Sequence, residues 1–392
     1  MRALQFDMVD RSFPVSLVEL PEPELPNDDW ARVEVVTGGI CGSDLHLFTR
    51  NTGPSPTLVS MGSLPFTLGH EIGGRIVETG PKCGHRVGER VAVDPCIPCR
   101  ARGIDPPCAN CARGWTSSCL NLDSRVVSPG RTLGYTQGLG GGWCEQVLAH
   151  DSMLHALPGA VSDRAASLHE PVSIACHGLL RSPPEDGAPV LVVGAGIIGL
   201  ATVAGVRGLV PGCPVTVLAR HAHQAAAARS CGAEQVVIWD ETSAHFDALA
   251  EITGARVVGY KSHRMLMGGF PYVVEAVGSP QSVTDALRAV AHHGTALLLG
   301  AAGISEVDLT PVWYKEIALV GSIDHGVDAA GAPGLAGGAG RHSVDRALDV
   351  LAAGLLPDDV VTHEFALDDY REAIGAAIDR RGSGAIKVVF RP

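Results

Sequence analysis

Short apolar runs separated by glycine and proline dominate the first 150 residues of the chain. Alternating apolar and β-branched residues, typical of half-buried strands, occur in ARVEVVTGG, GGRIVETG, GERVAVDP and GGWCEQVLAH. Each of these runs is bounded by residues that favour turns. The pattern predicts a compact antiparallel, barrel-like domain in the N-terminal part of the chain.

The period of the pattern changes near Val161. Helical spacing and a candidate N-cap, Ser162, mark the segment VSDRAASLHEPVSIACHGLLR. After Pro189, apolar runs (VLVV, PVTVLAR, EQVVIW, PYVVEAVG, GTALLLG and EIALVG) alternate with helical segments, among them SVTDALRAVAHH. This alternation predicts an α/β fold with a parallel, doubly wound sheet.

A glycine-rich turn follows the first strand of that sheet. Gly194, Gly196 and Gly199 form a GxGxxG motif directly after VLVV, and Ile197 and Ile198 open the next helix. The glycines allow a tight turn, a close approach of the backbone to a pyrophosphate and close helix–strand packing. The strand–turn–helix context therefore predicts a dinucleotide-binding site.

The second strand of the predicted sheet ends without an acidic residue. NAD sites usually place Asp or Glu about 20 residues after the glycines, where it binds the ribose hydroxyls. Here the strand ends at Ala219, followed by Arg220 and His221. A small residue followed by a guanidinium accommodates a 2′-phosphate. We therefore expect NADP(H), with NAD(H) held by backbone contacts as the less favoured alternative.

Ligands that zinc prefers occur in three distant segments. Cys41 lies in GICGSDLH, His70 in GHEIGG and Glu170 in HEPVSIACHG. Each residue is ordinary alone, but one thiolate, one imidazole and one carboxylate suit a catalytic Zn²⁺ with an open position. Together with the nucleotide motif, they predict a catalytic metal centre.

These motifs, in this order, resemble those of the zinc-dependent medium-chain dehydrogenase/reductase family, which includes alcohol, sorbitol and threonine dehydrogenases. The resemblance covers nearly the whole chain, from GICGSDLH to AIKVVF. It implies a GroES-like β-barrel catalytic domain over residues 1–175 and 325–392, and a Rossmann cofactor-binding domain over residues 176–324. The implied reaction is hydride transfer between NADP(H) and a secondary alcohol or polyol, or the corresponding carbonyl compound.

The resemblance also implies a role for each residue near the metal. Cys41, His70 and Glu170 would be the ligands of the catalytic zinc. Glu71 would lie beside the metal as a ligand that exchanges with water or substrate. Asp44 would orient the ring of His70 through its second nitrogen.

Three further roles follow from the same resemblance. Ser43 would touch the substrate oxygen, and His46 would pass the proton on to solvent. Lys387 would reach the cofactor pyrophosphate. The substrate pocket is expected among residues 47–62, 133–142 and 312–314.

Five cysteines lie between residues 95 and 119, in PCIPCRARGIDPPCANCARGWTSSC. A closed structural zinc site takes four thiolates, so one cysteine is left over. The last three match the family's structural lobe, and either Cys96 or Cys99 completes the set, because three more residues change loop closure little. Cys99 is favoured because Cys96 still belongs to the end of a strand. The expected tetrad is Cys99, Cys108, Cys111 and Cys119.

Composition narrows the possible partners and compartment. The 392 residues carry a net charge of −12, which argues against nucleic acid or an anionic membrane as the main partner. Eleven cysteines, with no signal-like N-terminus, indicate reduced thiols and metal ligands in a cytoplasm. The apolar segment Ala188–Val206 imitates a membrane span, but its glycines fit the nucleotide motif better.

We therefore expect a cytoplasmic homodimer or homotetramer that acts on a small alcohol or carbonyl compound and holds two zinc ions per chain. One alternative is a zinc-free NADPH enone or quinone reductase on the same fold, which would lack the Cys41, His70 and Glu170 set. A second alternative is a non-enzymatic zinc-ribbon protein, which would leave the GxGxxG motif unexplained. A third is a family member whose active site has become inactive, which would lack some of the metal ligands.

Overall fold

The N-terminal and C-terminal parts of the chain together form largely antiparallel sheets, in which β19 and β20 pair in parallel. The computed structural model describes residues 1–7, 13–49, 61–328 and 340–392. The strands of these sheets are β1 (Arg2–Phe6), β2 (Val15–Glu19), β3 (Trp30–Gly39), β4 (Phe66–Thr67), β5 (Glu71–Thr79), β6 (Arg90–Val93), β7 (Gln146–His150), β8 (Leu154–Ala156), β19 (Val361–Phe365) and β20 (Lys387–Phe390). One sheet has the order β2-β1-β4; the other has the order β19-β20-β3-β5-β6-β8, with β7 also paired to β3.

The long strand β3 organises this part of the molecule. It pairs antiparallel with β5, β7 and β20, so that Gly39 at its end lies opposite both Glu71 and Val389. Apolar side chains on its inner face, including Val33 and Val35, pack in a buried core with Ile72 and Val147. The carboxyl end of β3 thereby brings the start of β5 and the C-terminal strand to one place.

A parallel sheet forms the second half of the fold, as the strand–helix alternation predicts. Its strands are β9 (Val190–Val193), β10 (Val215–Ala219), β11 (Gln235–Ile238), β14 (Phe270–Glu275), β15 (Val290–Leu298) and β16 (Ala318–Gly321). All pairs are parallel, in the order β11-β10-β9-β14-β15-β16. The strand order reverses between β9 and β14, which is where doubly wound sheets bind nucleotides.

Helices cover this sheet and link it to the barrel. They are α1 (Gly42–Thr49), α2 (His169–Arg181), α3 (Ile197–Leu209), α4 (Ala222–Ser230), α5 (His245–Thr253), α6 (Pro280–Ala289), α7 (Thr310–Tyr314), α8 (Ser343–Ala352), α9 (Tyr370–Ile378) and α10 (Arg380–Ser383). No helix in the described ranges is long and apolar enough to cross a membrane. The segment Ala188–Val206 is divided among β9, the glycine turn and α3.

Helix α2 starts later than the sequence pattern suggests. The Ser162 hydroxyl accepts a 3.1 Å bond from the Ala165 amide, but this closes only a local turn. The helix itself begins at His169. Pro171 explains the difference, because proline lacks an N–H and is tolerated only in the first turn of a helix. Helix α2 continues to Arg181 without a break, so the predicted domain boundary at residue 175 falls inside it.

The helix predicted over SVTDALRAVAHH is shorter than expected. It ends at Ala289, and β15 begins at the next residue. The buried Lys315 ammonium donates to the carbonyl oxygens of Arg288 (3.0 Å) and Val290 (2.7 Å), which satisfies the C-terminal carbonyls that a longer helix would bond internally. His293 then adopts a left-handed φ of 59°, which a helix excludes.

Two short strand pairs in the second half of the chain were among the strands that the sequence analysis did not predict. An antiparallel hairpin of β12 (Arg256–Val258) and β13 (Met265–Met267) is inserted before β14. A second antiparallel pair joins β17 (Val327–Asp328) to β18 (Arg341–His342). Strands of two or three residues are too short to show an alternating pattern, so the sequence carries little signal for them.

Candidate metal and cofactor site

The predicted metal ligands Cys41 and His70 meet at the end of β3. Cys41 follows this strand and precedes α1, and His70 directly precedes Glu71, the first residue of β5. Because Gly39 and Glu71 are paired across the two strands, the side chains beyond them converge. One ligand atom each of Cys41, His70 and Glu71 lies within 4.8 Å of the other two.

Glu71 has a partner that the sequence analysis did not foresee. Its Oε2 forms a buried ion pair with the Nζ of Lys387, which also donates a 3.0 Å bond to the Ile40 carbonyl oxygen. The pair needs Gly39, because a Cβ there would stand 1.8 Å from the Glu71 carboxylate. The Lys387 ammonium is thus paired with Glu71 beside the metal site, and its contact with the pyrophosphate stays a prediction.

Glu170 lies near Cys41, His70 and Glu71, but it is not one of the three residues whose ligand atoms all lie within 4.8 Å of one another. Helix α2 carries the carboxyl group in its first turn, where it is 2% exposed. Burial raises the pKa of Glu170 well above its usual value, and the neighbouring Glu71 and Cys41 add to the rise against the opposing effect of His70. Its Oε2 has no hydrogen-bond partner among the described residues. A buried carboxyl oxygen without a partner is costly unless a cation binds it.

Asp44 contacts both Cys41 and His70. Its carboxylate is fully buried and accepts a 3.0 Å bond from the Cys41 amide, which fixes the start of α1. Its Oδ1 lies 3.4 Å from Nδ1 of His70 and accepts a 3.1 Å bond from the Tyr135 hydroxyl. Burial alone would lower the pKa of His70, but Asp44 and Cys41 outweigh it and raise the pKa. The potential at the imidazole is therefore negative.

Tyr135 is a site residue that the sequence analysis did not single out. Its ring centroid lies 5.9 Å from that of His70, and its side chain is half-buried. It lies in the predicted pocket segment 133–142, although no motif marks it. Of the other predicted pocket segments, residues 50–60 lie outside the described ranges, and Trp313 and Tyr314 are exposed on α7.

Ser43 and His46 follow Cys41 on α1, three residues apart and therefore on one face of the helix. Burial lowers the pKa of His46, and the nearby Arg380 charge lowers it further. The imidazole is thus neutral near pH 7 and able to accept a proton.

Arg380 is a second residue that the sequence analysis missed. Its Nη1 lies 3.8 Å from where a Cβ at Gly196 would stand, and its Nη2 lies 3.9 Å from the corresponding point at Gly42. The guanidinium therefore lies between the glycine turn and the start of α1. Arg380 precedes Lys387 by seven residues, and no spacing rule would have selected it over Lys387.

The glycine turn has the geometry that its motif predicts. Gly194 has a φ of 103°, and a Cβ at Gly199 would stand 2.0 Å from the Gly194 carbonyl oxygen. Gly196 precedes α3, whose first residues are Ile197 and Ile198. The free N–H groups of this helix start form a site for a pyrophosphate.

Positive and aromatic side chains surround the end of β10. Ala219 is buried, and the Arg220 guanidinium lies 5.2 Å from the centre of the Trp239 ring, in a cation–π contact. The rings of His221 and His223 stack with centroids 5.5 Å apart. Burial lowers the pKa of His221, and the charges of His223, Arg220 and Arg381 contribute to this effect.

Four of the five clustered cysteines come together in a lobe beside the barrel. The sulfur atoms of Cys99, Cys108, Cys111 and Cys119 lie within 4.8 Å of one another. Burial opposes ionisation of Cys108, but the amides of Cys111 and Leu120 donate to its sulfur, and its pKa falls to about 6. Such N–H···S bonds commonly support thiolate ligands of a metal.

The fifth cysteine, Cys96, belongs to another part of the molecule. Its Sγ lies 3.7 Å from Oδ2 of Asp324, and its amide donates to Asp94. The inserted segment RARGIDPP between Cys99 and Cys108 folds back through Arg102, whose buried guanidinium donates to the Leu122 carbonyl oxygen at 2.9 Å. The insertion is thus anchored within the lobe and leaves Cys99 with the other three thiols.

Comparison with known proteins agrees with this architecture. Residues 27–159 match the alcohol dehydrogenase GroES-like domain, and residues 198–326 match the zinc-binding dehydrogenase domain. The chain belongs to the zinc-dependent medium-chain dehydrogenase family. The predicted GroES-like and Rossmann halves of the fold are confirmed by the same matches.

Two relatives in this family are similar over most of the chain. (R,R)-Butanediol dehydrogenase of Saccharomyces cerevisiae is 28% identical over 341 residues, which cover 79% of this chain and 80% of the relative. Sorbitol dehydrogenase of Bombyx mori is 25% identical over 390 residues, which cover 96% of this chain and 95% of the relative. The chain is accordingly an oxidoreductase of the alcohol and polyol dehydrogenase type.

Solved structures in the family share the fold over the whole chain. The 2R,3R-butanediol dehydrogenase of Bacillus subtilis superposes with a TM-score of 0.75 at 23% identity, covering 100% of this chain and 99% of the other. A zinc-binding dehydrogenase of Sinorhizobium meliloti 1021, bound to NADP, has a TM-score of 0.72 at 25% identity with the same coverage. An Escherichia coli CFT073 alcohol dehydrogenase complexed with NADH has a TM-score of 0.74 at 24% identity and the same coverage.

The cysteine lobe provides a direct test of ligand choice. We expect Cys99→Ser to lose one zinc ion per chain and to lower the midpoint of thermal unfolding, because a structural zinc contributes folding free energy. Cys96→Ser is the matched control and should keep the zinc content of the unchanged protein. Metal analysis of both variants after desalting makes the comparison. Zinc loss in Cys96→Ser with retention in Cys99→Ser would contradict the assignment.

Proposed function

We propose that the chain catalyses NADP(H)-dependent oxidation of a secondary alcohol or polyol, and the reverse reduction of the ketone, at a zinc centre held by Cys41, His70 and Glu170. The observation that carries the proposal is the convergence of Cys41, His70 and Glu71 in one group, with the buried Glu170 carboxyl close enough to interact with all three and the glycine turn nearby. The polyol class is supported by Glu170 as the third donor and by the similarity to butanediol and sorbitol dehydrogenases.

The donor set fits a zinc ion. A thiol, an imidazole and a carboxyl group are ligands that Zn²⁺ accepts, and three protein ligands leave a position for substrate. The buried Glu170 Oε2 lacks a partner in the described part of the chain, and a cation would supply one. Glu71 is held by Lys387, which favours a place beside the metal over a permanent ligand role.

When bound, the zinc polarises the substrate oxygen, and the nicotinamide accepts the hydride from the carbon that bears it. The chain's own residues position the donors and move the proton. Asp44 orients His70 and ties Cys41 to α1. Ser43 accepts the proton of the substrate hydroxyl while releasing its own hydroxyl proton, and the neutral imidazole of His46, one turn farther along α1, takes up that proton and passes it towards solvent.

The cofactor would lie across the switch point of the parallel sheet. Gly194, Gly196 and Gly199 leave room for the pyrophosphate at the start of α3, and Arg380 supplies an opposing positive charge. At the end of β10, the Arg220 guanidinium packed on Trp239 favours a 2′-phosphate and hence NADP(H) over NAD(H).

The cysteine lobe would hold a second zinc ion with a structural role. Four thiolates close the coordination shell and leave no position for substrate. We therefore propose two zinc ions per chain in these two sites. All eleven cysteines are free thiols, which is consistent with a reducing cytoplasm.

An exposed sheet edge supports the proposed homodimer or homotetramer. Strand β16 is the last strand of the parallel sheet, and Leu319 on it is 45% exposed. Trp313 on the nearby α7 is 70% exposed. Unpaired strand edges with large apolar neighbours are typical of surfaces that a second subunit covers. We expect sedimentation to give the mass of two or four chains, and a monomer at micromolar concentration would contradict this.

The catalytic centre is tested by removing one donor. We expect Cys41→Ala to lower kcat/KM for (R,R)-2,3-butanediol or sorbitol by at least about 10²-fold, because even outer residues of metal sites are worth 10- to 100-fold. Cys83→Ala, which removes a thiol remote from the site, is the control. Full activity in Cys41→Ala would contradict the zinc-dependent mechanism.

Cofactor preference is tested at Arg220. Losing a charge-assisted hydrogen bond of about 1.5–3 kcal/mol should raise KM for NADPH roughly 10- to 150-fold in Arg220→Ala, with KM for NADH within about 2-fold. Arg229→Ala, at the end of α4, controls for removal of a nearby positive charge. Equal effects on the two cofactors in Arg220→Ala would overturn the NADP(H) assignment.

A further inference from the structure

A second group of metal-binding side chains lies apart from both proposed zinc sites. Asp94 follows β6, His155 belongs to β8 and His342 belongs to β18. One ligand atom of each lies within 4.8 Å of the other two. The proposed dehydrogenase reaction uses none of these residues.

The spacing of the group suits a metal ion. Oδ2 of Asp94 lies 3.3 Å from Nε2 of His342. Two ligands on bonds of about 2.0–2.1 Å in a tetrahedral zinc site lie about 3.3 Å apart. The rings of His155 and His342 approach to 4.8 Å between centroids. Two imidazoles and one carboxylate form a donor set that Zn²⁺ and Fe²⁺ accept.

The neighbours of these side chains orient them as the neighbours of metal ligands do. Nδ1 of His155 lies 2.8 Å from Oδ1 of Asp345, which leaves Nε2 for a metal. That Nε2 is buried and has no hydrogen-bond partner within the described ranges. Oδ1 of Asp94 is taken by Nε2 of His325 (2.6 Å) and the Cys96 amide (2.8 Å), so Oδ2 is left towards His342.

A neighbouring grouping of Asp94, Cys96 and His325 is a weaker candidate. Both ring nitrogens of His325 are already engaged, one with Asp94 at 2.6 Å and the other with the Ser173 hydroxyl at 3.2 Å. Binding a metal there would break a buried hydrogen bond. In the first group Nε2 of His155 has no partner to lose, although a metal there also replaces the contacts of the His342 ring with Asp94 and the Val344 amide.

The surrounding charges and the exposure to solvent also favour a cation at Asp94, His155 and His342. The carboxylates of Asp345 and Asp328 act on His342 in addition to Asp94. The nearest arginine of this segment, Arg341, is paired with Asp349 at 2.7 Å. The side chains of His155 and His342 are 11% and 12% exposed, and that of Asp345 is 39% exposed, so an ion reaches the group from the surface.

We propose that Asp94, His155 and His342 form a third metal site, which takes a divalent transition-metal ion such as Zn²⁺ and completes its coordination with water. The ion joins β6 and β8 of the barrel to β18 and the start of α8. Its role is structural, because it links three segments that come from distant parts of the chain. Binding through Nε2 of His342 moves the ring proton to Nδ1 and breaks the 3.3 Å bond from the Val344 amide, which the metal bonds must outweigh.

The test compares the number of zinc ions per chain in variants with that in the unchanged protein. The full-length protein and three variants are loaded with Zn²⁺, desalted and analysed for zinc per chain. His155→Gln and His342→Asn each remove one ligand, and Asn keeps a side chain that caps α8. His150→Gln is the matched control, because His150 is a buried histidine whose ring contacts Ser152 and lies outside the group. We expect both ligand variants to hold one zinc fewer than the unchanged protein and the control.

Cobalt substitution shows which site the extra ion occupies. The third Co²⁺ equivalent should add d–d absorption without sulfur-to-cobalt charge transfer, because the proposed ligands are nitrogen and oxygen. The thiolate bands of the other two sites should be unchanged in His155→Gln and His342→Asn. Equal zinc content in all four proteins, or a third equivalent with thiolate bands, would overturn the proposal.

Discussion

A cluster of buried acidic groups with too few partners shapes the centre of this molecule. Asp44, Glu71 and Glu170 surround Cys41 and His70. In the described structure Glu71 pairs with Lys387 and Asp44 faces His70, but Oε2 of Glu170 has no hydrogen-bond partner. Unpaired buried charge is costly in a protein interior. In the function proposed above, a divalent cation bound by Cys41, His70 and Glu170 would relieve that cost and make the cluster a catalytic centre.

The strand pairing of β3 gives that cluster its geometry. Its carboxyl end meets β5 and β20 at one point, and Gly39 leaves the space that the Glu71–Lys387 pair fills. The same end of the barrel faces the glycine turn, since the Arg380 guanidinium lies near both Gly196 and Gly42. One short region of backbone thereby positions both the proposed metal donors and the Arg380 charge beside the glycine turn.

Sequence patterns predicted the features that depend on local periodicity or motif spacing. The parallel strands, the GxGxxG turn and the family follow from such signals, and the structure or the comparisons confirm them. The pairing of Lys387 with Glu71 did not follow, because it depends on which cation the C-terminal strand brings to that carboxylate. Tyr135 was missed for a similar reason, since only tertiary packing brings its hydroxyl to Asp44.

The central claim is that a cation occupies the point where Cys41, His70 and Glu170 converge. Anomalous scattering from crystals of the purified protein, recorded on both sides of the zinc absorption edge, tests it most directly. The account predicts an edge-dependent peak bonded to Cys41 Sγ, a His70 nitrogen and a Glu170 oxygen, at the 2.0–2.3 Å distances typical of zinc. A map with a peak among the four lobe cysteines and none between Cys41 and Glu170 would contradict it.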